Sequence, residues 1–344
     1  MSRLALTTWA SSRRVAPIPL FIISFLLSLF IFRPSSSTLY TPGLSALYTP
    51  PAQPSTSSPI ENTLVIPTYR ERPNLAPLVQ AIFGALSEAM ADRTEVLIVD
   101  DDSRDGTEEE VARLESDGWR VGVLTRTGER GLSGAVLRGF ERARGERLLV
   151  MDADLQHPAS AIPDLLNALT EDTPMALGTR YGEGVSMAAG WPLHRRIISW
   201  GARMLARPLT SASDPMSGFF AIRKDAFLAS EPLSTAGFKL ALELLLKAPR
   251  ASTPAEVPYS FGLRTSGTSK LGMGVMFRYV DQLGALYRWR LGWAWHVLVA
   301  ACVTGAGVAA GSPVTRQMLR RLMGGKGGEG LLPLHKATSR RRLE

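Results

Sequence analysis

Glu95-Val96-Leu97-Ile98-Val99-Asp100-Asp101-Asp102-Ser103-Arg104-Asp105-Gly106-Thr107 passes from an apolar strand, through a run of acids, into the start of a helix. The apolar part, Glu95–Asp100, is short and bounded by turn residues, which reads as a strand. Thr107 and Glu110 have the spacing of a capping box, so a helix is expected over Thr107–Asp117. The unit recurs on both sides. Upstream, Asn62–Pro67 reads as a strand and Leu75–Ala91 has helical spacing. Downstream come strand Val121–Thr125, helix Ser133–Ala143 ended by Gly145, strand Leu148–Asp152, helix Pro158–Leu169 and strand Met175–Thr179. Strands alternating with helices in this way imply an α/β fold, a Rossmann-like, mostly parallel sheet with helices on both faces. Such sheets bind ligands at the carboxyl ends of their strands, and the polar motifs fall there.

The rest of the chain is organised around this core. Residues 1–35 contain an apolar run, Val15–Phe32, at the short end of what spans a bilayer, and read as a possible signal-anchor. Residues 36–60, rich in Pro, Ser and Thr, read as a linker. A catalytic domain is expected over 61–272, an interfacial helix and possible C-terminal membrane segment over 273–311, and a basic tail over 312–344. Both His194–Leu209 and Met273–Trp289 read as amphipathic helices in which aromatic rings accompany arginines. That pairing suits a headgroup boundary, so membrane lipid is an expected partner.

Charge supports this division. The net charge is +8, yet residues 1–35 carry four arginines and no acid, and residues 312–344 carry eight cations against two acids. The folded part is left with −2, which argues against nucleic acid as a partner, since such proteins carry their charge on the fold. The single cysteine, Cys302, excludes an intrachain disulfide.

The strongest chemical signal is Met151-Asp152-Ala153-Asp154-Leu155-Gln156-His157-Pro158. Side chains two apart along an extended segment face the same way, so Asp152, Asp154 and Gln156 can offer three oxygens to one point. That donor set suits Mg²⁺ or Mn²⁺; the alternative is that the acids cap the next helix or close a turn. The Asp100–Thr107 stretch is not a calcium loop, because Arg104 and Val111 stand where ligands are needed. Ser103, Asp105 and Thr107 read as an Asx-rich turn, and Asp101 as a nucleotide contact. His157 reads as a turn residue beside the metal loop.

Taken together, these residues resemble the family-2 glycosyltransferases, and within them the dolichol-phosphate mannose synthases. The resemblance covers Leu64 to about Trp289. It rests on Val65-Ile66-Pro67-Thr68-Tyr69-Arg70-Glu71, Val99-Asp100-Asp101-Asp102-Ser103, Asp152-Ala153-Asp154-Leu155-Gln156 and Gly178-Thr179-Arg180-Tyr181. Farther along it rests on Trp191–Ser199, Ser213–Phe220, Gly237-Phe238-Lys239, Glu256-Val257-Pro258, Arg264–Gly267 and Ser269-Lys270-Leu271. Where Arg70 and Arg104 stand, the family usually has Asn and Pro.

The resemblance implies a GT-A type fold and an inverting transfer of mannose from GDP-mannose to dolichyl phosphate. By implication Pro67, Tyr69, Glu71, Val99 and Asp101 line the guanosine site. Asp152, Ala153, Asp154 and Gln156 would hold the metal and the donor diphosphate. Arg180, Arg264 and Lys270 would neutralise phosphates, and Arg195 and Ser199 would grip the lipid phosphate. It also implies small membrane-anchoring subunits as possible partners, and an endoplasmic reticulum membrane location with the catalytic domain facing the cytosol. An acceptor phosphate is already an anion near neutral pH, so no general base is required. Rival readings are a UDP-glucose-dependent dolichyl-phosphate glucosyltransferase and an inactive nucleotide-sugar-binding subunit.

Overall fold

The computed structural model describes residues 39–42, 59–128, 130–182, 185, 193–237, 239–262, 273–298 and 301. Nine strands occur among them: β1 Leu39–Tyr40, β2 Asn62–Thr68, β3 Thr94–Asp100, β4 Val121–Thr125, β5 Arg147–Val150, β6 Met175–Thr179, β7 Phe220–Arg223, β8 Leu233–Ser234 and β9 Ala255–Pro258. The helices are α1 Arg72–Ala85, α2 Glu88–Ala91, α3 Thr107–Ser116, α4 Leu132–Arg142, α5 Ile162–Asn167, α6 Leu193–Ala206, α7 Lys224–Leu228, α8 Leu240–Lys247 and α9 Met273–Leu291.

Seven strands form one sheet in the order β4-β3-β2-β5-β7-β6-β9. The chain lays down β2, β3 and β4 outward in one direction and then returns to place β5 on the other side of β2. That reversal opens a crevice at the carboxyl ends of β2 and β5, the position where open α/β sheets bind ligands. β7 runs antiparallel to both of its neighbours, β5 and β6, while the other pairings in this sheet are parallel. Its direction matters for the site: the start of β7, and the Ser217-Gly218-Phe219 segment before it, arrive at the same edge as the carboxyl end of β5.

Alternation along the strands divides the core in two. Leu64, Ile66, Val96, Ile98 and Leu149 point to one face and meet Leu75, Leu78 and Ile82 of α1 with Val111 and Leu114 of α3. On the opposite face Val65, Val99, Leu148 and Val150 meet Val136 and Phe140 of α4 and Leu244 of α8. Gly139 is required where α4 crosses the sheet, since a Cβ there would lie 2.3 Å from the Val65 side chain. A third apolar cluster joins α6, α8 and α9 through Ala206, Leu242, Tyr279, Leu283 and Leu286.

Several expectations are corrected in detail. The predicted helix Leu75–Ala91 is two helices; α1 starts earlier, with Pro73 in its first turn, and Ser87 caps α2 by accepting from Met90 N. The Thr107–Glu110 capping box does not form. Asp105 Oδ1 instead accepts from both Thr107 N and Thr107 Oγ1, and Glu110 turns to Arg113 at 2.6 Å. The nearer acid and the charged partner win over the box. The strand expected over Leu148–Asp152 ends at Val150, which places Asp152 in the following loop. Of the expected Pro158–Leu169 helix, the first turn is 3-10 over Ala159–Ala161 and the α-helix is Ile162–Asn167.

Part of the expected linker is structured. Leu39–Tyr40 pairs antiparallel with β8, and Tyr40 stacks on Phe227 with ring centroids 6.3 Å apart. The described residues from Leu39 to Gly292 belong to one compact unit, which includes α9. No helix among the described residues is long and apolar enough to cross a membrane. The apolar run Val15–Phe32 lies outside the described residues, as does most of Trp293–Ala310.

Candidate active site

Three loops meet at the carboxyl edge of the sheet, following β2, β3 and β5. Of the five non-glycine residues with positive φ among the described residues, Arg70, Asp102, Arg104 and Leu155 all lie in these loops, at φ 58°, 54°, 52° and 62°. Left-handed backbone at bulky residues is costly, and its concentration here marks loops held by their surroundings. The two departures from the family pattern fall on this list. Asn tolerates the left-handed region well, which accounts for the family's preference at position 70. Proline cannot adopt φ near +52°, so the turn at Arg104 differs from one carrying the usual residue.

The loop after β3 is closed on itself. Asp100 accepts from Ser103 N at 2.7 Å, from Ser103 Oγ and from Thr68 Oγ1. Ser103 Oγ in turn accepts from Arg70 N at 2.7 Å, which ties this loop to the one after β2. Asp101 is buried and accepts from Arg126 Nη1 at 2.7 Å and from Gly131 N at 2.8 Å. Burial pushes its carboxyl up, opposed by the Gly131 hydrogen bond and the Arg126 charge. Its carboxylate therefore organises the Arg126–Gly131 loop. Arg126, 25 residues away, carried no sequence signal for this partnership.

The remaining guanosine-site candidates are distributed around the β2 end. Pro67 is buried in the strand, and Tyr69 and Glu71 are partly exposed beyond it. Arg130 and Arg70 sit over the Tyr69 ring at 4.7 and 5.3 Å. Glu71 accepts from Asn74 Nδ2 at 2.8 Å. The side chain of Val99 packs into the core with α4, so only its backbone can border a ligand.

The loop after β5 is held from behind by His157. Its Nδ1 accepts from Asp152 N at 3.1 Å, and its ring stacks on Phe219 at 5.0 Å with the edges of Tyr259 and Phe261 beside it. Burial lowers its pKa to about 4, so the imidazole is neutral and holds a backbone. Asp154 is buried and its Oδ1 accepts from Gln156 N at 3.1 Å. Gln156 Nε2 donates to Gly262 O at 3.1 Å, which turns its amide oxygen to the opposite side. Asp152 borders a cavity of about 120 Å³, shared with Arg180, Ser217, Gly218 and Lys239. Gly218 lies against this carboxylate, its Cβ position 3.4 Å from Asp152 Oδ2. Two carboxylates and an amide oxygen, with no soft ligand among them, fit a hard divalent cation. No group of three or more His, Cys, Asp or Glu side chains among the described residues is arranged as a metal cluster.

Arg180 has a strong partner that was not assigned from sequence. Its Nε and Nη2 donate to Asp214 at 2.7 and 2.9 Å, and Asp214 is fully buried. Burial alone would lower the arginine's pKa; the Asp214 hydrogen bonds outweigh it and raise the value. The pairing fixes the guanidinium over Phe261 and compensates part of its charge. Lys239, in the Gly237-Phe238-Lys239 motif, lines the same cavity and donates from Nζ to Met216 O at 2.8 Å. Burial lowers its pKa to about 8, helped by Arg180 and opposed by Asp152 and Asp214.

Ser199 lies on α6 and is partly exposed. The side chain of Arg195, and the whole of Arg264 and Lys270, lie outside the described residues.

Residues 63–229 match the family described as glycosyl transferase family 2. Dolichol-phosphate mannosyltransferase of Mycosarcoma maydis is 56% identical over 243 residues, covering 69% of this chain and 83% of that protein. The Saccharomyces cerevisiae protein of the same name is 48% identical, covering 68% of this chain and 89% of that protein. Among solved structures, glucosyl-3-phosphoglycerate synthase from Mycobacterium tuberculosis is similar with a TM-score of 0.48 at 17% identity, over 68% of this chain and 80% of that one. The identity of the first two, over more than 80% of their own length, leads to one assignment: the chain belongs to glycosyl transferase family 2, among its dolichol-phosphate mannosyltransferases.

Proposed function

We propose that this protein transfers mannose from GDP-mannose to the phosphate of dolichol, with inversion at the anomeric carbon. The observation that carries the reading is 56% identity over 243 residues to a dolichol-phosphate mannosyltransferase.

The chemistry requires one bond exchange. An oxygen of the acceptor phosphate attacks the anomeric carbon in line, the bond from that carbon to the GDP oxygen breaks, and GDP leaves with the electron pair. No proton needs to move, because the nucleophile is already anionic. This agrees with His157 beside the loop, which is buried, neutral and engaged to a backbone amide. Asp152, Asp154 and Gln156 would hold Mg²⁺ or Mn²⁺, which when bound supplies Lewis-acid stabilisation to the departing diphosphate. The Asp214-held Arg180 stands beside Asp152 in the same cavity and places fixed positive charge where phosphates meet. The rigid loops supply orientation, the other large share of such catalysis.

Membrane contact has its own support. Ile197, Trp200 and Leu205 of α6, and Met276, Phe277, Trp289 and Leu291 of α9, are exposed, while other residues of these helices pack against α8. Both helices also carry arginines, such as Arg203 and Arg288. A face of this kind suits the headgroup boundary of a bilayer holding the lipid acceptor. In this reading the protein works at the cytosolic face of the endoplasmic reticulum membrane.

The test is transfer by the purified full chain. Labelled mannose should pass from GDP-mannose to a polyprenyl phosphate, with chelation stopping the reaction and added Mg²⁺ or Mn²⁺ restoring it. Transfer of glucose from UDP-glucose at a higher rate would replace this reading with the glucosyltransferase one. Protease protection of tagged termini in microsomes tests the location.

A further inference from the structure

Lys239 is a partly buried cation at a place that offers it little. It is the N-cap residue of α8, where the helix dipole is positive and a cation is disfavoured. The surrounding protein also strips water from its ammonium. A charge kept against both effects marks a functional position more often than a structural one. The backbone around it is unusually well held. Gln282 of α9 accepts from Lys239 N at 3.0 Å through Oε1 and donates to Lys239 O at 3.2 Å through Nε2. The approach is close enough that a Cβ at Gly237 would lie 2.7 Å from Gln282 Nε2. One amide thus grips both polar groups of a single residue, and Nζ is steered onto Met216 O beside Gly218.

The result is an ammonium, a guanidinium and a carboxylate around one cavity: Lys239, Arg180 and Asp152. Apolar side chains, among them Val136, Val150 and Leu240, line the same cavity. Charged donors and acceptors beside apolar side chains suit a sugar ring, whose hydroxyls lie on its rim and whose C–H groups form its faces. The cavity adjoins the loop assigned to the donor diphosphate, so the sugar attached to that diphosphate is within reach of it.

We propose that Lys239 contacts the transferred hexose itself, donating a hydrogen bond from Nζ to a ring hydroxyl, with Asp152 and Arg180 beside it, and that Gln282 positions it for this role. Lys239 is thereby a specificity residue for the sugar, separate from the residues that read the nucleotide. This rests on the mannosyl-transfer reading above.

The experiment uses the full chain in detergent with Mg²⁺. Affinities for GDP and GDP-mannose are measured by calorimetry, and kcat and KM are measured with GDP-mannose and its four monodeoxy-mannose analogues. In Lys239→Met the affinity for GDP should stay within about twofold of wild type, while kcat/KM for GDP-mannose falls about 10- to 100-fold, the range for losing a charge-assisted hydrogen bond. One deoxy donor should reproduce that loss on wild type and show no further loss on Lys239→Met. The other deoxy donors should show additive losses. Lys239→Gln, which keeps a donor, should recover part of the lost activity. GDP binding that falls in parallel with GDP-mannose binding, or full additivity with all four deoxy donors, overturns the proposal. If Lys239→Met does not fold, Lys239→Gln and the wild-type deoxy series decide by the same criteria. A wild-type protein that transfers no mannose defeats the functional reading instead. The nucleotide sugar it does use, with its own deoxy series, then judges Lys239.

Discussion

Two acidic loops stand side by side at the edge of this sheet, and they do different things with their carboxylates. The loop after β3 turns its acids inward: Asp100 onto Ser103 and Thr68, Asp101 onto Arg126 and Gly131, Asp105 onto Thr107. The loop after β5 turns Asp152 to the cavity and the Gln156 oxygen away from Gly262, while His157 braces it from behind. An acid run that satisfies itself is architecture; one braced from outside and opened to a cavity can take a cation. Aspartate density alone would have ranked the first loop higher.

The sharpest way to break this contrast is Asp154→Ala. Transfer should fall by roughly a thousandfold or more with circular dichroism unchanged, since a metal-site carboxylate contributes several kcal/mol to the transition state. Near-normal turnover by the folded variant would place the metal elsewhere.

Asp214→Ala should act on stability first. It leaves Arg180 buried without its bidentate partner, and breaking a buried pair in this way costs about 3–5 kcal/mol. Urea denaturation measures it, and a loss below about 1 kcal/mol would show that solvent takes over the pairing.

The His157 brace predicts an acid limit. Its pKa is depressed to about 4, so the folded state stays unprotonated where the unfolded chain, at 6.5, binds a proton. Stability is complete above about pH 6.5 and is lost as pH falls towards 4, by about 3 kcal/mol from this group. His157→Phe should flatten that part of the stability–pH curve; an unchanged slope would assign the acid sensitivity to carboxylates.

For the self-contained loop, Asp100→Ala should cost about 2 kcal/mol of stability by orphaning Ser103 N and its hydroxyl. The folded fraction should keep donor-metal affinity within a few-fold, in contrast with Asp154→Ala. An equal loss of metal affinity in both variants would erase the distinction between the loops.

The smallest effect is expected at the membrane face. Replacing Trp200 and Phe277 together with Glu removes apolar area that is exposed in the protein alone, so stability should hardly change. Binding of the full chain to anionic vesicles should weaken roughly tenfold, in keeping with about 25 cal/mol per Å² of partly buried ring. Unchanged partitioning would leave membrane contact to residues outside α6 and α9.

Much of this was legible in order along the chain. Short apolar strands between amphipathic helices set the parallel half of the sheet, because alternation and periodicity are local properties. The spacing of Asp152, Asp154 and Gln156 marked the candidate metal loop for the same reason. Detail was lost where local chemistry competed, as at Thr107, where the helix starts as expected but Asp105 displaces the capping box. Partners far apart in sequence needed the tertiary structure. The antiparallel direction of β7 brings Gly218 to Asp152, Asp214 reaches Arg180 across 34 residues, and Gln282 of α9 grips Lys239 across 43. None of these pairs leaves a periodic trace, since the sheet order that joins them is decided by how whole elements bury their apolar faces. By itself the sequence determined which candidate residues stand at each strand end. Only the packed fold decided which of them meet, because burial and close approach belong to the assembled core.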